Sequence, residues 1–214
     1  MNTTFKLVDF SCRAVEKVDL DLSGGQCLGL TGPSGTGKSL LLRALADLDP
    51  HGGQMLLDGV ASTRMPAPQW RRQVGLLPAE SAWWFDAVGD HFDPLPPPWL
   101  ERLGFDAQAM AWQVSHLSSG ERQRLALLRI LAQEPRVMLL DEPTANLDPK
   151  NITRVEGLLD DVRRELRPVL LWVSHDLDQL RRRCDSILVL EGRRLTPLVE
   201  GAAIGGRPDV VPTP

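Results

Sequence analysis

Three stretches of this sequence predict an α/β domain with a mostly parallel core sheet. Cys27–Thr31 (CLGLT) is an apolar run that passes straight into a glycine-rich loop and then into a helical pattern. Val137–Asp141 (VMLLD) and Val169–Ser174 (VLLWVS) are unbroken apolar runs, as expected of strands buried on both faces. Helical patterns separate these runs, and that alternation builds parallel sheets. With 214 residues and 43% hydrophobic content, the chain is long enough for one large domain, or one domain with a small insert.

Taken in order, Phe5–Phe10 and Val18–Leu22 read as strands and predict an antiparallel β edge ahead of Cys27–Thr31. Ser39–Leu48 predicts a helix with apolar residues along one face. His51-Gly52-Gly53 reads as a turn. Gln54–Leu57 reads as a strand ended by the turn signal Asp58-Gly59, and Val74–Leu77 as another strand. From about residue 80 to 118 the composition changes. Trp83, Trp84, Trp99 and Trp112 fall here, together with Asp93-Pro94-Leu95-Pro96-Pro97-Pro98. Proline at that density excludes regular structure and predicts a stiff loop. Helices are expected at Trp99–Leu103 and around Ala107–Val114, so this segment reads as a small, mostly helical insert. Alternation resumes with helices over Ser119–Gln133, Asn151–Arg167 and Asp176–Arg183, and a hairpin over Ile187–Glu191 and Arg193–Thr196. The domain is expected to span residues 1–196. The Gly- and Pro-rich stretch 197–214 is expected to be a loosely held tail.

Charge and composition exclude several classes. The formal net charge is −4 with Lys and Arg spread along the chain, so no basic stripe points to nucleic acid. Cys12, Cys27 and Cys184 form no CxxC pair and no metal-like spacing with the four histidines; they read as reduced structural thiols. The start MNTTFKLVDFSCR lacks a basic segment followed by an apolar run, so no signal peptide is expected. No apolar stretch approaches the ~18–20 residues that span a bilayer. If the chain works at a membrane, another chain supplies the spanning part.

Gly32-Pro33-Ser34-Gly35-Thr36-Gly37-Lys38-Ser39 fits GxxxxGK[ST], the phosphate loop of P-loop NTPases, and Leu40 continues it into the helix. Glycines let the backbone wrap phosphate oxygens with its amides pointing inward. The following helix aims its positive end at the same point. Lys38 supplies a charge to the β- and γ-phosphates, and Ser39 a hydroxyl to Mg²⁺. In Val137–Glu142 an apolar strand delivers Asp141 to the sheet edge where ligands bind in open parallel sheets. Asp141 suits a Mg²⁺ ligand, and Glu142 suits a general base polarising the attacking water. Ser118, Ser119, Gly120 and Glu121 precede a helix. They read either as a second phosphate site or as a plain N-cap with Glu three residues on.

The ordered set of phosphate loop, LSSGE (Leu117–Glu121), LLDEPTANLD (Leu139–Asp148) and VSHD (Val173–Asp176) resembles the ATP-binding cassette (ABC) family over about residues 5–196. It is similar, more narrowly, to small cassettes of the FetA type. The family resemblance implies an ATP-hydrolysing transporter subunit that uses ATP and Mg²⁺, with two copies facing head to tail. Ser118 and Gly120 would then act on the partner copy's γ-phosphate, His175 would hold the water and Glu142 in place, and Asp148 would link the two sites. It further implies an integral membrane permease as partner and a cytoplasmic location, peripheral on the inner face of the membrane, with Trp83, Trp84 and Phe85 either lining a groove for the permease or forming the insert's core.

Two family positions differ. Ala79 stands where the family places a Gln, so Glu80 or water substitutes there or coupling is altered. The chain has no Tyr for adenine stacking; the equivalent position is Cys12, with Phe10 and Arg13 as candidate stacking partners. A soluble ATPase acting on a cytosolic partner, and a regulatory ATP-binding module with low turnover, are the alternative readings.

Overall fold

A computed structural model of the chain describes residues 3–92 and 99–198. The proline-rich stretch 93–98 and residues 199–214 of the tail expected over 197–214 lie outside them; Pro197 ends a strand. Strands β1 (Thr4–Cys12), β2 (Val18–Ser23), β4 (His51–Leu57) and β5 (Val60–Ala61) form an antiparallel sheet of order β2-β1-β4-β5. The second sheet holds β3 (Cys27–Thr31), β6 (Val74–Leu77), β7 (Val137–Asp141), β8 (Val169–Val173), β9 (Ser186–Glu191) and β10 (Arg194–Pro197), in the order β10-β9-β3-β8-β7-β6. Its five strands from β9 to β6 are parallel, and β10 pairs antiparallel at one edge. The mixed sheet and the antiparallel β edge therefore match the sequence reading. All residues of β3, β7 and β8 are buried, which explains their unbroken apolar runs.

Helices α1 (Lys38–Leu45), α2 (Ala67–Gln73), α3 (Ser119–Leu131), α4 (Pro149–Glu165) and α5 (Leu177–Arg183) complete the framework. Two apolar clusters form the core. One lies between the antiparallel sheet, α1 and α2; the other packs α3, α4 and the insert against the opposite face of the parallel sheet.

Three expectations are corrected. Strand β4 begins at His51, because Gly52 and His51 pair with Ser11 and Cys12 of β1 across a register shift, where a turn was expected. Helix α2 went unread because its buried face is a single residue. Trp70 is fully buried, its ring centroid 6.3 Å from that of Phe5 and its Nε1 donating to the Leu45 carbonyl at 3.0 Å. The insert holds no α-helix among its described residues, only 3-10 turns at Gly89–His91, Glu101–Leu103, Ala107–Ala111 and Val114–His116. Gly104 at φ 80° ends one turn, and Asp106 caps the next through Gln108. Trp112, extended at φ −70° and ψ 146°, ends the turn over Ala107–Ala111, so neither segment continues as an α-helix. Instead, Val88 N–H donates to the Trp112 carbonyl and Val114 N–H to that of Asp86, closing an isolated antiparallel bridge between Ala87 and Gln113.

Candidate nucleotide site

Strands β3, β7 and β8 are adjacent and parallel, so their C-terminal ends open onto one edge of the sheet. The glycine-rich loop leaves β3, Asp141 and Glu142 end β7, and Ser174 and His175 follow β8. Side chains more than a hundred residues apart in sequence converge there because the ladder fixes the register: Cys27 aligns with Leu170, and Asp141 with Val173.

The loop's backbone requires glycine. Gly32, Gly35 and Gly37 have φ of 143°, 79° and 102°, in the region L side chains avoid. A Cβ on Gly32 would sit 2.3 Å from the Leu190 carbonyl oxygen, and one on Gly37 2.8 Å from Ala14 Cβ. A Cβ on Gly35 would meet open space, so that turn of the loop faces outward. Pro33, Ser34 and Ser39 are exposed, and Leu40 is half-buried. Thr36 Oγ1 donates to the Pro33 carbonyl at 2.9 Å. Lys38 is buried, its Nζ donating to the carbonyls of Gly32 (2.7 Å) and Pro33 (3.0 Å). Burial lowers the ammonium's pKa, opposed by the carboxylates of Glu142 and Asp141.

Glu142 is held at φ 51°, with its N–H donating to the Val173 carbonyl at 3.1 Å. Its Oε1 is buried without a hydrogen-bond partner, 3.6 Å from His175 Nε2. Burial pushes the carboxyl above the usual range; His175 opposes this, Asp141 adds to it, and Lys38 opposes it. A non-glycine residue in the left-handed region, with an unsatisfied buried oxygen and a raised pKa, is what a poised base looks like. Asp141 is buried at the strand end, while His175 is half exposed. Asp141 and Ser39 are the hard oxygen donors suited to Mg²⁺, which favours one or two carboxylates plus phosphate and water. Among the described residues, no group of three or more His, Cys, Asp or Glu could by itself hold a metal.

The Ser118–Glu121 group is a complete capping box at the start of α3. Ser118 Oγ and N donate to Glu121 Oε2 at 2.7 and 2.9 Å, and Glu121 N–H donates back to Ser118 Oγ at 3.3 Å. Ser118 and Ser119 are exposed. The N-cap reading of this motif is satisfied, and its helix end faces outward. A Cβ on Gly120 would come 3.0 Å from Leu147, so Gly120 packs on the loop that carries Asp148. Asp148 is itself the N-cap of α4, accepting from Asn151 N at 3.0 Å and Nδ2 at 2.6 Å.

On the base side, Phe10 is removed from consideration. It is fully buried and stacked on His51 at 5.5 Å between ring centroids, serving the core. Cys12, Arg13, Leu40 and Arg193 line a cavity of about 710 Å³ beside α1, which leaves Arg13 as the exposed stacking candidate. Ala79 and Glu80 are exposed past the end of β6. In the insert, Trp83 packs on the second core, whereas Trp84 and Phe85 are 63% and 50% exposed. The site's less obvious members are Thr144, Ser174 and Gln179, which share hydrogen bonds beneath it. None of the three carries a local sequence signal, because their hydrogen bonds join separate elements.

No helix among the described residues is long and apolar enough to cross a membrane. The sequence profile of the family described as ABC transporter matches residues 15–145. The chain is 32% identical to methionine import ATP-binding protein MetN 1 of Pseudomonas savastanoi pv. phaseolicola over 211 residues, covering 89% of this chain and 63% of that protein. It is 36% identical over 186 residues to Protein STAR1 of Oryza sativa subsp. japonica, covering 81% and 54% respectively. The chain thus spans somewhat less than two thirds of the length of these curated relatives. A solved structure titled as a bacterial Atm1-family ABC exporter with ATP bound shares the fold, with a TM-score of 0.77, 22% identity, and coverage of 91% of this chain and 38% of that one.

Proposed function

The chain belongs to the ABC transporter family, and from that premise we propose that it is the ATP-hydrolysing subunit of a transporter, working as a head-to-tail pair beneath a membrane-spanning permease at the inner face of the membrane. The observation that carries this reading is the convergence of Lys38, Asp141, Glu142 and His175 on one sheet edge, with Glu142 Oε1 buried, without a hydrogen-bond partner, and 3.6 Å from His175 Nε2.

In this reading the loop amides and Lys38 take the phosphates, and Lys38 exchanges its carbonyl partners for phosphate oxygens. Glu142 accepts the hydrogen bond of the attacking water and orients it in line with the γ-phosphorus. His175 keeps that water and the carboxylate together. Mg²⁺, held by Ser39 and Asp141, would offset charge on the phosphate oxygens. The exposed Ser118–Gly120 end of α3 supplies donors to the nucleotide of a second copy; Glu121 orients Ser118, and Asp148 lies beside the same surface. Adenine rests against Arg13 in the cavity lined by Cys12. Trp84 and Phe85 form the apolar face offered to the permease.

Purified chain is expected to hydrolyse Mg-ATP, and the Glu142→Gln variant to bind ATP and dimerise on it without turnover. Failure of both to bind ATP would overturn the reading. Ala79 favours one other reading, a nucleotide-binding module with low turnover. ATP binding without hydrolysis by the native chain, even with its permease, would select it.

A further inference from the structure

Beneath the site, a single amide oxygen joins the two turns that carry Glu142 and His175. Gln179, on α5, is buried, with 3% exposure. Its Oε1 accepts from Thr144 Oγ1 at 3.1 Å and from Ser174 Oγ at 3.1 Å. Thr144 lies two residues past Glu142, and Ser174 directly precedes His175.

The arrangement extends on both sides. Ser174 Oγ also accepts from Asp176 N–H at 3.1 Å, so His175 is bracketed by two residues tied to the same hydroxyl. Asp176 Oδ1 in turn accepts the Gln179 N–H at 2.9 Å, fixing the start of α5. On the other side, Ala145 N–H donates to the Glu142 carbonyl and Leu147 N–H to that of Thr144, which makes 142–147 one folded turn. Gln179 Nε2 donates to Glu156 Oε1 at 2.9 Å, and Arg183 Nε donates to Glu156 Oε2 at 3.0 Å. The buried carboxylate is thereby neutralised, and a flipped amide would set its oxygen against the Glu156 carboxylate, acceptor against acceptor.

Leucine would fill this position with less polar burial. Instead, the amide's shared acceptor means neither turn can move relative to the other without breaking a buried hydrogen bond. One of those turns holds Glu142 at φ 51°, a conformation that persists only where its surroundings enforce it.

We propose that Gln179 is a positioning residue for ATP hydrolysis, whose amide oxygen locks the Glu142 turn to the His175 turn through Thr144 and Ser174. This rests on the hydrolytic role given above to Glu142 and His175.

The test uses Gln179→Leu, which keeps the volume and removes the shared acceptor, and the exchange Gln179→Glu with Glu156→Gln. In the exchange a carboxylate at 179 accepts both hydroxyls, an amide at 156 donates to it, and net charge is unchanged. Gln179→Leu should lower kcat about 10- to 100-fold, the scale of a small misplacement at a reacting centre, with nucleotide Kd unchanged, and the exchange should restore most of the rate. Independently of turnover, the His175 ring signals in NMR spectra should move on Glu142→Gln in the native background. In Gln179→Leu the same change should leave them still. Native-like kcat in Gln179→Leu, or a His175 response that survives it, would overturn the proposal. If Gln179→Leu does not fold, Thr144→Val and Ser174→Ala decide, since each removes one arm. Slowed turnover with intact nucleotide binding supports the proposal, and unchanged turnover defeats it. A native chain without hydrolysis would defeat the activity reading alone, because the NMR response is measured without turnover.

Discussion

The sheet edge bearing Glu142 and the insert bearing Trp84 are built by different means. At the edge, backbone geometry dominates. Parallel ladders set the register, positive φ at Gly32, Gly35, Gly37 and Glu142 sets the turns, and polar side chains answer one another over about 3 Å. In the insert, side chains dominate. Val88, Leu103, Phe105 and Ala109 bury themselves on the second core, and His91 does what a ladder does elsewhere. Its Nε2 accepts from the N–H groups of Trp84 (3.1 Å) and Phe85 (3.0 Å), while Nδ1 faces the Ala87 carbonyl at 3.1 Å. Arg129 lies 4.7 Å from the rings of both Trp83 and Trp84. Backbone-determined sites tolerate few residue types, whereas packed inserts tolerate many. The proposed chemistry lies in the first kind of region and the proposed partner surface in the second.

The largest effect should come from Glu142→Gln. It removes the proposed base and is expected to cut turnover about 10²- to 10⁴-fold while leaving ATP binding intact. The native enzyme's pH profile sharpens the point. Burial raises the Glu142 carboxyl of the nucleotide-free protein, so kcat/KM is expected to fall as pH drops through that raised value. The acid limb should therefore lie above the ordinary glutamate value of about 4.3 and be absent from the residual rate of Glu142→Gln. A limb at or below the ordinary value would mean that Glu142 is not the base.

Next is a pair of loop variants that isolates backbone geometry. Gly32→Ala puts a Cβ 2.3 Å from the Leu190 carbonyl at φ 143°. It should lower stability by about 3 kcal/mol or more, adding a backbone clash to the strain of a rare conformation. Gly35→Ala meets open space at φ 79° and should cost only about 1–2 kcal/mol, the penalty of the left-handed region alone. Thermal melts read both. Equal losses would mean that contact with Leu190 does not shape the loop.

These contrasts follow what could be read from sequence. The phosphate loop, β7, β8 and the capping box were legible because each is a local rule: glycine where φ is positive, apolar runs where both faces are buried, and Ser with Glu three residues later. Helix α2 was not, since a seven-residue helix with only Trp70 inward carries no apolar stripe. The insert differs because Trp99–Leu103 and Ala107–Val114 have helical spacing, yet Gly104 and the extended Trp112 interrupt them and they fold only as turns against the second core. Phe10 suggested a base-stacking partner by position in sequence; its burial against His51 depends on β4, whose start was itself misread. The shared amide of Gln179 could not be read, because it depends on three elements meeting in space.

The smallest effect tests the insert directly. Trp83 and Trp84 are neighbours of one type, and both face Arg129. Trp83 packs on the second core, with its ring centroid 4.7 Å from that of His91, while Trp84 is 63% exposed. A fully buried Trp→Ala costs about 3–5 kcal/mol, so the half-buried Trp83→Ala should cost about 2 kcal/mol in denaturant unfolding. Trp84→Ala should stay within about 0.5 kcal/mol, as surface changes do. Its effect should appear instead as weaker co-purification with membranes containing the permease. Equal stability losses would make the insert a single aromatic core. A Trp84→Ala variant with native membrane association would remove Trp84 from the proposed partner surface.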